Sequence, residues 1–261
     1  KLKTDDHHVK LGKSNFLITE TDESNPDFTI LKPHLVVLTN LDKEHLDNYD
    51  NNYSKLKSTM CKFVNSIPFY GKVFINGDDK NSISLIKDIN RDIYKFGFSN
   101  KNDLFASDVK YENNQMTFFI NHAKDKYKIV TNLLGNHNVY NILAAVSVCI
   151  HLEINTSDVV KSIPLFHGVK RRLDIHHNIE INGNKTTVID DYGHHPSEIL
   201  STVNTIKSIY PHKKIFMIFQ PHRYSRTEST WNDLVKILRT LDRVIILPTY
   251  SAGERKTIYD S

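Results

Sequence analysis

The sequence predicts an α/β protein with a central, mostly parallel sheet, an antiparallel ribbon at its edge, and a second α/β unit. Between residues 16 and 98, short apolar runs alternate with helix-patterned segments, as in parallel sheets with right-handed crossovers. Residues 106–131 change to short alternating runs divided by polar turns, which favours an antiparallel ribbon. After residue 187, three apolar runs are each followed by a polar loop, which predicts the second unit.

The bulk composition is that of an ordinary globular chain. Of the 261 residues, 39% are hydrophobic and 25% are charged, which is enough to fill real cores, and this length favours two domains. The net charge of +4 is spread along the chain. Because Lys and Arg do not cluster beside aromatic residues, we do not expect a nucleic-acid binder.

The two cysteines, Cys61 and Cys149, lie far apart in apolar stretches. This indicates buried thiols in a reducing compartment and favours the cytoplasm. No apolar run approaches the roughly 20 residues that cross a membrane, so no membrane insertion is expected. The chain begins with Lys1 and ends at Ser261 in a polar loop, without a visible signal peptide. We therefore expect an internal fragment of a longer protein.

The first unit is expected to contain four strands followed by the ribbon. The strands are predicted at residues 16–20, 35–40, 72–76 and 93–98, and the ribbon at 106–111, 115–120 and 127–131. One helix carries Leu56, Met60, Phe63 and Ile67 on one face, and another covers residues 81–89. A long helix opens at residues 135–138, and a shorter one follows with Thr156 or Ser157 as its N-cap.

Residues 164–170 are the best candidate for a linker to the second unit. The strands of that unit are predicted at residues 187–189, 215–219 and 244–247. Its first helix carries Ile199, Leu200, Val203, Ile206 and Tyr210 on one face, and its second carries Trp231, Leu234, Val235 and Leu238 on one face. If the three strands are parallel, the loops after them meet at one edge, where α/β proteins carry their chemistry.

The loop with the most reactive side chains is residues 190–196, a tight turn from strand to helix. Gly193 relaxes its backbone, and Pro196 suits the first helical turn. Zinc needs three or four ligands at recognisable spacing, and that set cannot be assembled here. A cluster that binds a substrate is therefore favoured, with a capped turn and surface histidines as the alternative. The cluster would comprise Asp190, Asp191, Tyr192, His194, His195, His222, Arg223 and Arg226.

Arg223 and Arg226 lie three residues apart after a predicted strand. Each guanidinium offers a planar fork that suits a carboxylate or a phosphate. A solvated basic loop would explain the pair equally well. Asn138 and Asn141 lie one helical turn apart, and their amides could contact the edge of a base or simply cap the helix.

In the first unit, Glu20 and His45 each lie at or just past the end of a predicted strand. A carboxylate with water and substrate phosphates is the usual way in which proteins hold Mg²⁺. An imidazole is an unusual ligand for this ion, so an exposed loop histidine is the alternative interpretation of His45.

Taken together, these motifs resemble the Mur ligase family of peptidoglycan synthesis, and the resemblance covers essentially the whole chain. Within the family, they are most similar to members that join L-alanine to UDP-N-acetylmuramate. The motifs that carry it are residues 20–24, 39–40 with 45–47, 67–71, 135–138 with Asn141, 168–172, 190–196, 220–227 and 252–254. The resemblance implies that residues 1–163 are most of a central ATP-binding domain without its P-loop segment. Residues 164–261 would be an incomplete (truncated), Rossmann-like, amino-acid-binding C-terminal domain.

The resemblance also implies roles for single residues. Glu20 would ligate Mg²⁺ near the γ-phosphate of ATP, and His45 would help to hold a second Mg²⁺. His137, Asn138 and Asn141 would approach the adenine, while Arg172 and either Asp190 or Asp191 would hold the ribose and phosphates. Tyr192, His194, His195, Arg223 and Arg226 would orient L-alanine and the acyl substrate. The catalytic residues would be Glu20, His45, Arg172 and His195.

The implied reaction is an ATP-dependent ligation of L-alanine to UDP-N-acetylmuramate through an acyl phosphate. A related ligase that uses a recovered tripeptide instead of L-alanine is the nearest alternative. A non-catalytic nucleotide-binding remnant is another, because no P-loop lysine is found in these 261 residues. For the same reason the chain alone is expected to have no ligase activity. The oligomeric state stays open.

Overall fold

The computed structural model describes residues 3, 9–43, 45–112 and 114–255. Its largest element is a six-stranded sheet with the strand order β1-β2-β3-β4-β5-β6. The first four strands, β1 (Leu35–Leu38), β2 (Lys72–Asn76), β3 (Asp92–Gly97) and β4 (Leu104–Glu112), pair in parallel. Two further strands, β5 (Gln115–His122) and β6 (Asp125–Thr131), continue the sheet with antiparallel pairing. The predicted mostly parallel sheet with an antiparallel ribbon at its edge is confirmed.

Helices cover both faces of this sheet. They are α1 (Tyr53–Asn65), the short α2 (Lys80–Ile83), α3 (Asn136–His151) and α4 (Thr156–Ser162). The helix predicted over residues 81–89 is divided into α2 and a 3₁₀ turn at Ile86–Asp88. The N-cap of α4 is Asn155, whose side chain accepts a hydrogen bond from the Ser157 amide, so the predicted caps Thr156 and Ser157 are wrong. Asn competes as well as Ser or Thr for this position because its side-chain oxygen reaches the same amide.

Strand β2 separates two hydrophobic cores. Val73 and Ile75 pack with Leu56 of α1 on one face, while Phe74 packs with Leu143 of α3 on the other. Side chains alternate between the faces of a strand, and β2 is buried on both. Such continuous burial is typical of a central parallel strand.

The strand predicted at residues 16–20 is wrong. This segment is irregular, and its apolar side chains are exposed, with Ile18 93% accessible. Within the described part of the chain, no strand pairs with it. An apolar run is only a local signal, whereas a strand exists only if a neighbour satisfies its backbone groups. Glu20 therefore lies in an exposed, irregular segment and not at the end of a buried strand.

The second unit contains a hairpin and a small parallel sheet. The hairpin comprises β7 (Asp174–Ile181) and β8 (Asn184–Asp190), while β9 (Phe216–Phe219) and β10 (Arg243–Ile246) pair in parallel. The strand predicted at residues 187–189 is present as part of β8, but it is mostly exposed and not buried as predicted. Because β8 pairs antiparallel with β7, the condition that all three strands are parallel is not met. The sequence signal for this hairpin is Asn182-Gly183, a pair that favours a tight hairpin turn. Both residues have a positive φ in the structure.

Two helices pack on the parallel pair, namely α5 (Pro196–Ile209) and α6 (Tyr224–Leu238). Their core comprises Ile199, Val203, Phe219, Leu234 and Ile237. Trp231 and Leu200 belong to the predicted apolar faces but are exposed. The periodicity of each helix was correct, but the contact with a two-stranded sheet covers only part of the apolar stripe. Within the described ranges, every helix is too short or too polar to cross a bilayer.

Candidate functional site

The reactive turn after β8 is held together by Asp191. One oxygen of its carboxylate accepts a hydrogen bond from the Gly193 amide at 2.8 Å, and the other accepts one from the Leu173 amide at 2.8 Å. Gly193 does not have a positive φ, and a Cβ at this position would lie 2.7 Å from Asp191 Oδ1. Glycine is therefore needed here for a close approach and not, as predicted, for backbone freedom.

Asp190 has a different environment from its neighbour. Its Oδ2 lies 3.5 Å from Arg171 Nε, and both side chains are about half exposed. An ion pair this exposed contributes only about 0–1 kcal/mol to stability. Asp190 therefore keeps more hydrogen-bonding capacity for another molecule than Asp191, whose two oxygens already accept backbone bonds.

His195 and Glu198 form a capping box at the start of α5. One Glu198 oxygen accepts hydrogen bonds from the amides of His194 and His195, at 3.0 and 3.1 Å. Burial alone would raise the pKa of Glu198, but these two bonds, together with the nearby charges of His194 and Arg172, hold the pKa below its usual value. Burial lowers the pKa of His195, whose Nδ1 lies 2.8 Å from Ser197 Oγ. The capped turn considered as an alternative is thus present, with Pro196 at the first helical position as predicted.

The loops after β8, β9 and β10 meet in a group of four rings, which we call the ring cluster: Tyr192, His194, His222 and Tyr250. The centroid distances are 5.3 Å for Tyr192 to His194, 5.4 Å for His194 to His222 and 5.4 Å for His222 to Tyr250. The structure thus brings these loops together even though β8 belongs to a different sheet. Tyr250 was not predicted, although its place after a strand was a usable signal.

The two arginines lie beside the ring cluster. Arg226 Nη1 is 3.4 Å from His222 Nδ1, and because a guanidinium can only donate, this imidazole nitrogen must accept. Burial lowers the pKa of His222, and the nearby charges of His194, Arg226 and Arg223 lower it further. Among the described residues, Nε of Arg223 is buried without a hydrogen-bond partner. A basic site with an unsatisfied donor favours an anionic ligand group.

The predicted nucleotide residues gather at the start of α3. Burial lowers the pKa of His137, the nearby charge of Asp191 raises this pKa, and the nearby charge of Arg172 lowers it. These three groups therefore lie close enough to interact across the two units. Asn138 donates from its amide to the Leu134 carbonyl at 2.8 Å, and Asn141 lies 3.5 Å from Asn138. The helix-capping alternative is wrong, because the N-cap of α3 is Gly135, no described side chain caps this end of the helix, and Asn138 donates to a carbonyl instead of accepting from an amide.

Protonation of His137 should destabilise the folded protein. Because its folded pKa lies below its unfolded value, the unfolded chain binds more protons at mildly acidic pH, and the free energy of unfolding falls as pH falls. We expect this loss to begin near the unfolded pKa of about 6.5. Urea denaturation between pH 7.5 and pH 5 should show a smaller loss for His137→Gln than for the parent. An unchanged loss would contradict this, and exposed His212→Gln is the control.

Asp42, in the loop after β1, makes one of the contacts between the first unit and the second. Asp42 Oδ2 accepts a hydrogen bond from Asn40 at 3.2 Å and lies 3.5 Å from Ser197 Oγ. Neither Asp42 nor Glu198 was predicted as a site residue from the sequence. The Glu198 role had a signal, since an acidic residue three positions after a cap predicts a capping box.

The metal prediction for Glu20 and His45 is not tested by these contacts. His45 has a left-handed backbone and precedes the 3₁₀ helix Leu46–Tyr49. In the ranges that the structure describes, no group of three or more His, Cys, Asp and Glu side chains is placed to hold a metal ion. Mg²⁺ usually takes one or two carboxylates together with water and substrate phosphates. A nucleotide-dependent site of this kind is compatible with the side chains found here.

Two family models match the chain. The Mur ligase middle domain matches residues 7–149, and the Mur ligase, glutamate ligase domain matches residues 171–260. Among curated proteins, the UDP-N-acetylmuramate–L-alanine ligase of Vesicomyosocius okutanii is 42% identical, covering 95% of this chain and 53% of its own length. The protein of the same name from Psychrobacter cryohalolentis is 36% identical, with 97% and 53% covered. The chain thus spans about half the length of the curated relatives it matches.

Solved structures show the same fold. A UDP-N-acetylmuramate-alanine ligase from Thermotoga maritima has a TM-score of 0.70 and 26% identity, covering 89% of this chain and 50% of that one. The MurF ligase of Thermotoga maritima, solved with ADP, has a TM-score of 0.69 at 17% identity, with 85% and 51% covered. The middle-domain model alone spans more than half of the 261 residues. The predicted resemblance is confirmed, and the chain belongs to the Mur ligase family.

Proposed function

We propose that the protein containing this chain is an ATP-dependent ligase that adds L-alanine to UDP-N-acetylmuramate. The names of its relatives support this choice within the family. The observation that carries it is the convergence of Arg223 and Arg226 with the ring cluster, where the loops after β8, β9 and β10 meet. We further propose residues 1–163 as the ATP-binding part and 164–261 as the amino-acid-binding part.

ATP would lie between the two parts. Its adenine would approach His137, Asn138 and Asn141, and Arg172 would contact the phosphates. Of the two neighbouring carboxylates, we assign Asp190 to the ribose, because Asp191 already accepts two backbone hydrogen bonds. Glu20 and His45 would hold Mg²⁺ with the phosphates, where it would neutralise negative charge on the transferred group.

L-alanine would bind beside the ring cluster. The guanidinium groups of Arg223 and Arg226 suit its carboxylate, and the unsatisfied Nε of Arg223 would gain an acceptor. Tyr192, His194 and His195 would line the path to the acyl substrate. The carboxylate of UDP-N-acetylmuramate would attack the γ-phosphate of ATP to give an acyl phosphate and ADP. The neutral amine of L-alanine would then attack the acyl carbon, and phosphate would leave.

A ligase assay with the complete protein tests this proposal. Phosphate release from ATP should require both UDP-N-acetylmuramate and L-alanine, and a peptidoglycan tripeptide should not replace L-alanine. Release that depends on the tripeptide but not on L-alanine would favour the recycling ligase. ATP binding without any release would favour the nucleotide-binding remnant.

A further inference from the structure

Arg223 has a backbone conformation that L-amino acids avoid. Its φ is 69° and its ψ is 137°, outside the regions that sterics allow for a residue with a Cβ. A residue in such a conformation persists only where the surrounding structure imposes it. Because Arg223 is one of the two proposed carboxylate-binding arginines, the groups that impose this conformation also determine where its side chain lies.

Backbone hydrogen bonds fix the chain as it enters Arg223. The Arg223 amide donates to the Tyr250 carbonyl at 2.8 Å, and the Tyr250 amide donates to the Pro221 carbonyl at 2.8 Å. These bonds join the loops that follow β9 and β10. They leave the next segment, the first turn of α6, to be fixed by other groups.

Glu254 fixes that first turn from 29 residues further along the chain. Arg223 is the N-cap of α6 but makes no capping hydrogen bond with its side chain. Instead, Glu254 Oε2 accepts from the Ser225 amide at 3.0 Å, and Oε1 accepts from the Ser225 hydroxyl at 2.6 Å. The first amides of a helix lack partners within the helix, and a negative charge is favourable there. Glu254 thus provides the cap that the local sequence does not.

The charge of Glu254 is retained in this position. Partial burial alone would raise the pKa of its carboxyl group, but the two Ser225 bonds and the nearby Arg223 charge hold the pKa below its usual value. The carboxylate lies close enough to Arg223 for their charges to interact. Its two oxygens, however, accept their hydrogen bonds from Ser225.

We propose that Glu254 is a positioning residue of the amino-acid site, which fixes the first turn of α6 and thereby the directions of Arg223 and Arg226. Without it, this turn would fray, and Arg226 would lose its contact with His222. The inference rests on the proposed function for the identity of the ligand. The two hydrogen bonds from Ser225 to Glu254, which we call the clamp, are a property of the folded chain and do not depend on that function.

Steady-state kinetics of the complete protein test the positioning role. We expect Glu254→Ala to raise the KM for L-alanine by roughly tenfold, the value of one good charge-assisted hydrogen bond, with little change in the KM for ATP. Glu254→Gln keeps one acceptor oxygen and should raise the KM for L-alanine only a few-fold. Glu228→Ala, on an exposed part of the same helix, is the matched control and should behave like the parent.

Amide hydrogen exchange of the 261-residue chain tests the clamp without any substrate. Exchange at residues 225–227 should accelerate in Glu254→Ala and stay unchanged in Glu228→Ala. Unchanged exchange, or a KM for L-alanine that does not move in an active enzyme, would overturn the inference and leave the proposed function standing. An enzyme that ignores L-alanine but shows the accelerated exchange would overturn the ligand and leave the clamp.

Discussion

Replacing Arg226 by alanine is expected to lower kcat/KM for L-alanine by roughly 100-fold in the complete protein. A hydrogen bond to a charged group contributes about 1.5–3 kcal/mol, and each 1.4 kcal/mol corresponds to a factor of about ten in rate. The guanidinium lies beside the ring cluster and contacts His222, so its removal also leaves that imidazole without its donor. Initial rates at varied L-alanine, with ATP saturating, give the required ratio.

Two further variants decide whether this loss is specific. Arg239→Ala removes an exposed arginine at the other end of the same helix and should leave kcat/KM unchanged. Arg226→Lys keeps the charge but not the planar fork, so it should recover only part of the activity. If Arg226→Ala were as active as the parent, or if Arg239→Ala lost as much, the arginines would not form the amino-acid site.

Phe74→Ala should destabilise the protein by about 3–5 kcal/mol, the usual cost of truncating a buried phenylalanine. Phe74 is fully buried in the middle of β2, where its ring lies 5.9 Å from Tyr94 and 5.7 Å from His151. The cavity would open between the sheet and α3, where the strands on either side of β2 limit relaxation. Equilibrium denaturation in urea measures the change in the free energy of unfolding.

Phe69→Ala is the matched control for this prediction. The same ring is removed, but Phe69 is 89% exposed in the turn before β2, so the change should stay within about 0.5 kcal/mol. A Phe74→Ala loss below about 1.5 kcal/mol would show that β2 does not form the central layer described here.

The sequence predicted the first unit well where burial and backbone pairing agree. The strands around Val73 and Phe96 and the ribbon after Leu104 were located correctly, because their apolar patterns are satisfied by neighbours within the described chain. The failure at Ile18 has the opposite cause, since an apolar pattern alone cannot show whether a pairing strand exists. The hairpin before Asp190 was not predicted, although the Asn182-Gly183 turn is a usable signal for one.

Only part of the candidate site was predicted from the sequence. Tyr192, His194 and Arg226 follow strands, and loops after strands gather at one edge even when the strands belong to different sheets. Glu254 and Asp42 were not predicted as site residues, because their contacts join residues 29 and 155 positions apart. Such contacts depend on tertiary packing and leave no periodic signal in a single sequence.

The hydrogen bonds at the end of β8 have a mechanical consequence. Asp191 is bonded to the Leu173 amide, and the Tyr192 amide is bonded to the Arg171 carbonyl. The two segments are thereby joined just after the candidate linker at residues 164–170. A movement about that linker would therefore carry Arg172 and Tyr192 together.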